Sequence, residues 1–380
     1  MKRFIFVFII VQIILCSVSS AQEGMAYQVR GRVIELLGDT GNEGFDLSEG
    51  YNAQSQYVKV RITEGEDRGK TVMAEHSTNV YFSDYQTFFL KKGDRVFIIY
   101  EKDETGNLID VYITDLIREG YLYSLIGLFI LLILIIGKGK GLRTIVTLAI
   151  TVFVVIKVLI PLIINGFPPV ITAVILCSGI VIICFLIISG WNLKTFAASL
   201  GTVTGILTAG ALALTAGSLA HLTGLAQEET LMLMNIPNAV KFNFQGLLFA
   251  GIIIGAMGAV MDVGMSIASA LNEIKQTSPE INFRQMIRSG MNVGRDVMGT
   301  MTNTLILAYT GGAINLLILF TAYKIPFSYM INGDYFASEM VRALSGSIGI
   351  VLTIPVTTLI SAWLYTSKKI NKEEDINEEL

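Results

Sequence analysis

The sequence predicts an all-α membrane domain, a bundle of seven transmembrane helices, preceded by a small exported β-rich domain of the OB or SH3-like kind. Composition is the first observation: hydrophobic residues make up 52% of the 380, charged residues 16%, and the mean hydropathy is +0.61. The second is a series of long apolar runs after Glu119, and the third is an alternation of polar and apolar residues before it. Together these features are typical of a polytopic membrane protein with one water-exposed domain.

Residues 1–21 resemble a secretory signal peptide. A basic start precedes an apolar run from Phe4 to Leu15, and small residues follow up to Ala21. This order of regions predicts export of the following segment, with cleavage after Ala21. An uncleaved membrane anchor and lipidation at Cys16 are the alternatives, although Leu15 is not the small residue that lipoprotein processing requires.

Residues 22–119 predict the exported β-rich domain. Short alternating runs separated by Gly and Asp clusters predict five strands, at Tyr27–Leu37, Tyr57–Thr63, Thr71–Ala74, Arg95–Tyr100 and Leu108–Ile113. Five short strands suit a small barrel or sandwich. The domain contains 11 Lys and Arg against 18 Asp and Glu, a net charge of −7. That charge argues against nucleic acid as a partner and lets the domain attract cations.

Residues 120–366 predict the membrane domain, because seven apolar stretches are each long enough to cross a hydrocarbon core of about 30 Å. The stretches lie near 120–137, 144–164, 170–190, 195–220, 246–270, 297–320 and 344–366. Loops assigned to the cytoplasm hold eleven Lys and Arg, and those assigned to the outside between spans hold three. This bias predicts a bacterial plasma-membrane protein with its N-terminal domain outside and residues 367–380 as a charged cytoplasmic tail.

Small residues predict where the helices approach one another. Gly201 and Gly205 form a G-x-x-x-G pair in the fourth stretch, where threonines also recur, and Gly251 and Gly255 begin a file of small residues in the fifth. Because glycines let helix backbones come close, we expect all four at helix–helix contacts and the fourth stretch at the centre of the bundle.

A polar site is predicted around Asp262 in the fifth stretch. Asp262 shares one helical face with Gly251, Gly255, Gly258, Ser266 and Ser269. A carboxylate in a membrane span costs a few kcal/mol unless it has a partner or water, so we expect Asp262 to face the interior of the bundle. A second stripe in the sixth stretch includes Asn303. Asp262, Asn303 and Ser266 are therefore predicted to form a substrate or ion site.

Arg295 and Asp296 lie where the sixth stretch is expected to enter the bilayer. Two interpretations stay open for this pair. In the first, Asp296 caps the helix and Arg295 extends toward the lipid headgroups. In the second, the pair forms a gate or contacts the substrate.

No enzymatic activity is expected, and no catalytic residue, cofactor or metal is assigned. The sequence has no G-x-S-x-G or H-E-x-x-H motif, and Gly65–Thr71 has one residue too few for a phosphate-binding loop. The two histidines, His76 and His221, have no companions at metal-ligand spacing. Methionines at Met257, Met261 and Met265 could bind Cu(I), but they are also typical of flexible packing against glycine.

Two motifs carry a resemblance to a known family. Gly258–Leu271 reads GAVMDVGMSIASAL, and Gly294–Tyr309 reads GRDVMGTMTNTLILAY. With the β-rich segment and the other spans, these runs resemble the YibE/F family of integral membrane proteins over essentially the whole mature chain. The resemblance implies a multi-pass membrane protein of a class sometimes described as permeases. It implies no substrate and no catalytic residue, although Asp262, Arg295, Asp296 and Asn303 occupy its motif positions.

Two functions are consistent with these observations. The first is a permease or channel-like transporter, with Asp262 binding a proton or another cation on a path lined by the fourth to sixth stretches. The alternative is a membrane scaffold or sensor that binds a partner through its exported domain. The expected partners are the lipid bilayer, an unidentified small solute or ion, and further copies of the chain in a homo-oligomer.

Overall fold

The structure is a computed structural model that describes residues 27–40, 52–80, 89–102, 108–234 and 242–367. The predicted signal peptide and residues 368–380 of the predicted tail lie outside the described residues. The chain divides between Leu132 and Ile133 into two compact units. The first unit contains a β-barrel, and the second contains a helical bundle.

Five strands form a closed barrel, which confirms the prediction of a small β-rich domain. The strands are β1 (Tyr27–Thr40), β2 (Asn52–Ile62), β3 (Thr71–Val80), β4 (Arg95–Lys102) and β5 (Leu108–Leu116). Their order around the barrel is β1-β2-β3-β5-β4. All pairs are antiparallel except β3 with β5. Val58, Val60 and Ile98 are among the side chains that fill the interior.

The loop at Gly65–Thr71 is a turn between β2 and β3, and it places a carboxylate against the barrel core. Asp67 is 5% exposed. It accepts a hydrogen bond from Tyr100 Oη at 2.9 Å and forms ion pairs with Lys70 at 2.8 Å and Lys102 at 3.0 Å. These donors hold the pKa of Asp67 well below its ordinary value, with Lys70 contributing most. The turn is thereby attached to β4.

We expect the barrel to lose stability in acid through Asp67. A carboxyl whose pKa is lowered on folding contributes stability above its unfolded pKa and loses that contribution as the pH falls, here from about pH 5 downward. Asp67→Asn should lower stability at neutral pH and remove most of this acid dependence. Hydrogen exchange of residues 52–80 in the full chain, corrected for intrinsic rates, measures it. Glu35→Gln, at an exposed carboxylate of β1, is the control. An unchanged acid profile in Asp67→Asn would contradict the prediction.

The remaining elements are helical. They are α1 (Glu119–Val154), a short π-helix (Val155–Leu159), α2 (Ile160–Ile164), α3 (Pro169–Ser189), α4 (Leu193–Leu219), α5 (Glu228–Met234), α6 (Phe244–Thr277), α7 (Phe283–Gly312), α8 (Ile314–Ala322), α9 (Phe327–Asn332) and α10 (Asp334–Thr366). Cys177 and Cys184 of α3 are buried free thiols in the bundle core.

Several helices are long and apolar enough to cross a membrane. Within the described residues there are five of them, or six if α7 and α8, bent by 61°, form one span. The first runs from Glu119 to Ile164 with a non-helical backbone at Lys138, where φ is 46°. At about 1.5 Å per residue it is far longer than one crossing. The seven-span topology stays a prediction, since it requires this helix to cross twice, once on each side of Lys138.

Helix α10 forms the centre of the helical unit, with α4, α6 and α7 packed along it. A Cβ on Gly201 of α4 would collide with Thr357, and one on Gly205 would lie 3.1 Å from the carbonyl oxygen of Gly349. Thr357 is fully buried. The two glycines of α4 thus lie at a helix–helix contact, and the partner is α10.

Candidate functional site

The predicted polar stripe of α6 faces outward. Asp262, Ser266, Gly251 and Gly255 are all exposed in the single chain, so the expectation that Asp262 faces the interior of the bundle is wrong. The face of α6 that packs against the other helices instead carries Ala256, Val260, Val263, Gly264, Ile267 and Leu271. Both faces contain small residues, and on the packed face Gly264 lets Thr202 of α4 come close.

The predicted glycine contacts of α6 differ from those of α4. A Cβ on Gly251 or Gly258 would meet no atom within 4 Å, whereas one on Gly255 would lie 2.6 Å from Tyr309 Oη of α7. Only Gly255 of this file therefore lies at a contact between described helices. Gly258 leaves open space on the surface of α6, and Gly251 lines a cavity between the first turns of α6 and α10.

The other members of the predicted site are also exposed. Asn303 lies on the outward face of α7 together with Thr300, Thr304 and Thr310. These three threonine hydroxyls donate to carbonyls one turn earlier in their own helix, at 2.8–3.0 Å. Among the residues that the structure describes, no hydrogen bond or ion pair reaches Asp262. Two neighbouring helices thus each present an outward polar stripe.

The interpretation of Asp296 as a helix cap is wrong. Helix α7 begins at Phe283, and its N-cap is Asn282, whose side chain accepts from the backbone N–H of Gln285 at 3.0 Å while Gln285 bonds back to Asn282. The sequence signature of this capping box is Asn282 followed three residues later by Gln285. Asp296 and Arg295 are exposed residues well inside α7, and Arg295 donates to Asn292 at 3.3 Å. The gate interpretation stays a prediction.

Sequence reasoning missed two features of this unit. A Cβ on Gly290 would lie 2.6 Å from Thr358, and one on Gly294 would collide with Ile354. These two glycines pack α7 onto α10, and their G-x-x-x-G spacing could have revealed them. The second feature is an ion pair between Arg342 and Glu339 on α10. The predicted topology had placed Arg342 in a loop.

The methionines of α6 lie within packed surroundings. Met257 is buried in the main core cluster of the helical unit, and Met261 and Met265 pack against that cluster. The sulfur of Met265 lies 3.6 Å from the hydroxyl of Ser189. The geometry agrees with their use as flexible packing residues.

The exposed stripes restrict what can surround this part of the molecule. Asp262 lies about 27 Å along α6 from Phe244, near the middle of a helix long enough to cross a membrane. An unpaired carboxylate facing hydrocarbon costs about 3 kcal/mol or more. The stripes therefore require water or another protein surface beside them.

Comparison with known proteins identifies the helical region. The sequence model of the YibE/F-like protein family matches residues 125–367. No curated protein and no solved structure shows significant similarity to the chain. The match covers more than half of the sequence and includes both motifs, although it does not extend over the barrel strands. This chain belongs to the YibE/F-like family.

Proposed function

We propose that the protein is a permease or channel-like transporter of a bacterial plasma membrane, with Asp262 as a proton or cation site. The observation that carries this proposal is the pair of exposed polar stripes on α6 and α7. The stripe of α6 lies on a helix long and apolar enough to cross a membrane, and that of α7 lies on a helix that meets this condition only together with α8. The stripe of α6 contains a carboxylate without a described partner. Intramembrane ionisable groups commonly mark substrate and ion pathways.

The proposed path runs along the outward faces of α6 and α7. It includes Gly258, Asp262 and Ser266 on α6 and Asn303 on α7. The absence of a side chain at Gly258 leaves room beside the carboxylate for a hydrated ion. The fourth span, α4, contributes through packing, because its glycines are covered by α10. In the proposed topology the barrel lies outside the cell, and its negative charge attracts cations.

Thiol labelling tests whether water reaches the stripes. In a background with Cys16, Cys177 and Cys184 replaced by alanine, Ser266→Cys and Asn303→Cys should react in membrane vesicles with a charged, membrane-impermeant thiol reagent. The thiolate is the reactive form and needs water to ionise, so a thiol in lipid reacts little.

Two lipid-facing positions provide the control. Ile175 of α3 and Leu207 of α4 are 63% and 49% exposed apolar residues. Ile175→Cys and Leu207→Cys should stay unlabelled until detergent is added. Protection of the stripe positions to the same degree would contradict a water-filled path.

The alternative is a scaffold or sensor in which a further copy of the chain covers the same stripes. The open surface at Gly258 favours this alternative, because an exposed small residue lets a second helix approach closely. Chemical crosslinking between Gly258→Cys copies, combined with protected stripe positions, would support it over transport. The barrel would then bind the partner outside the membrane.

A further inference from the structure

A cavity of about 330 Å³ lies in the helical unit, away from the stripe residues Asp262 and Asn303. Its walls come from the first turns of α6, the first turns of α10, and α5 with the residues before it. This volume is within the range of cavities that bind small molecules. Charged and polar groups of α10 lie on one side, and apolar residues of α5 and α6 lie on the other.

The charged side of the cavity contains the ion pair that the sequence did not predict. Arg342 Nη1 lies 3.2 Å from Glu339 Oε1, and the two side chains are 21% and 14% exposed. The Nε atom of Arg342 is buried and has no hydrogen-bond partner among the described residues. A guanidinium N–H can only donate, and leaving it buried without an acceptor is costly. Among the described residues, Glu339 therefore satisfies Nη1 of Arg342, and Nε is left without an acceptor.

Ser338 adds a second unused group at the same place. It lies one turn before Arg342 on α10, is 5% exposed and lines the cavity. Its hydroxyl is also without a partner within the described part of the chain. Ser338 and Arg342 thus line one cavity, and each has a buried donor without a described partner. A hydroxyl and a guanidinium N–H are together suited to the two oxygens of a carboxylate.

The charged groups that line the cavity do not favour a simple anion as the ligand. Glu229 of α5 and Glu339 line the cavity with Arg342, so carboxylates outnumber the guanidinium. A ligand with an ammonium group beside its carboxylate balances both signs. Leu233, Leu247 and Leu248 provide an apolar wall for a side chain. We propose that this cavity binds a small zwitterion of the α-amino acid class, with its carboxylate on Ser338 and Arg342 and its ammonium group toward the glutamates.

Binding to the purified full chain in lipid nanodiscs tests the proposal. The probes are the proteinogenic L-amino acids, assayed singly by isothermal titration calorimetry at millimolar concentration. At least one with an apolar side chain should bind. L-leucine is compared with 4-methylpentanoate, which lacks the ammonium group, and with 3-methylbutylamine, which lacks the carboxylate. Each single-charge compound should bind at least about tenfold more weakly, because one charged interaction is lost. If no amino acid binds, or if the carboxylate alone binds equally well, the proposal is overturned.

Matched variants locate the site. Ser338→Ala should weaken amino-acid binding about tenfold, and Arg342→Lys should weaken it further, since a lysine cannot reproduce the Nε geometry. Ser361→Ala is the control, because Ser361 is a fully buried serine of the same helix whose hydroxyl is also unpartnered but which does not line the cavity. Equal affinity in Ser338→Ala and Ser361→Ala would exclude this site. The inference does not depend on the proposed transport, because amino-acid binding is measured without an ion gradient.

Discussion

Replacing Gly201 by valine is expected to separate α4 from α10 and to unfold the helical unit at a much lower temperature. A Cβ at this position would collide with the side chain of Thr357 and lie 3.0 Å from its Cα. Turning the Thr357 hydroxyl aside would still leave its Cβ at 2.8 Å and its Cα at 3.0 Å from the added atom. Because Thr357 is also fully buried, the two helices must move apart. Overpacking a well-packed core costs about 1–3 kcal/mol, and a β-branched residue at a backbone contact belongs at the upper end.

The melting temperature in detergent, followed by the loss of a monodisperse elution profile on heating, measures this effect. Gly258→Val is the matched control, since it adds the same side chain to a glycine of α6 with no atom within 4 Å. We expect Gly258→Val to melt close to the wild type. If both variants lost the same stability, helix propensity rather than the contact with α10 would explain the change.

The barrel could be predicted because strands such as β2 and β4 alternate between buried and more exposed side chains. Val58, Val60 and Ile62 point inward, while Lys59 and Arg61 between them are exposed. A period of two is a sufficient signal for a strand with one face in a core. The closure of the barrel, with β5 between β3 and β4, could not be read from that period, since alternation does not specify which strands pair.

The spacing of small and polar residues along α6 does not show which face of the helix packs against its neighbours. The stripe through Asp262 and the stripe through Val260 are both rich in small residues, and a shared helical face does not show what covers it. In water the apolar face would have to be buried, but in lipid that rule is lost. The direction in which the polar stripe faces could be found only from the contacts that α6 makes with α4, α7 and α10.

The start of α10 was missed for a different reason. The apolar run begins near Leu344, so the sequence predicted a loop up to that point, whereas the helix begins at Asp334. The Oδ2 atom of Asp334 accepts from the Thr223 hydroxyl at 2.5 Å, which connects this end of α10 to the segment after α4. Hydropathy cannot report the polar first turns of a membrane helix. Glu339 and Arg342 lie in those turns.

Asp262→Asn is expected to abolish cation movement through the protein while leaving its fold intact. Asparagine has the same size as aspartate, and the side chain at this position is exposed and makes no described hydrogen bond, so the packing of α6 should not change. The substitution removes the negative charge and the proton-binding group together. A transport site that depends on either should fail, whereas a scaffold should be unaffected.

Purified protein in liposomes that contain a dye sensitive to H⁺, Na⁺ or K⁺ measures this prediction under an imposed gradient of the same ion. Wild-type protein should dissipate at least one of these gradients, and Asp262→Asn should resemble empty liposomes. Glu273→Gln, at an exposed carboxylate nearer the end of the same helix, should retain wild-type flux. If cation flux persists in Asp262→Asn at equal protein levels, the Asp262 carboxylate is not required for transport. Since an intramembrane carboxylate costs about 3 kcal/mol or more, its retention would then have to be explained by a second copy of the chain covering α6.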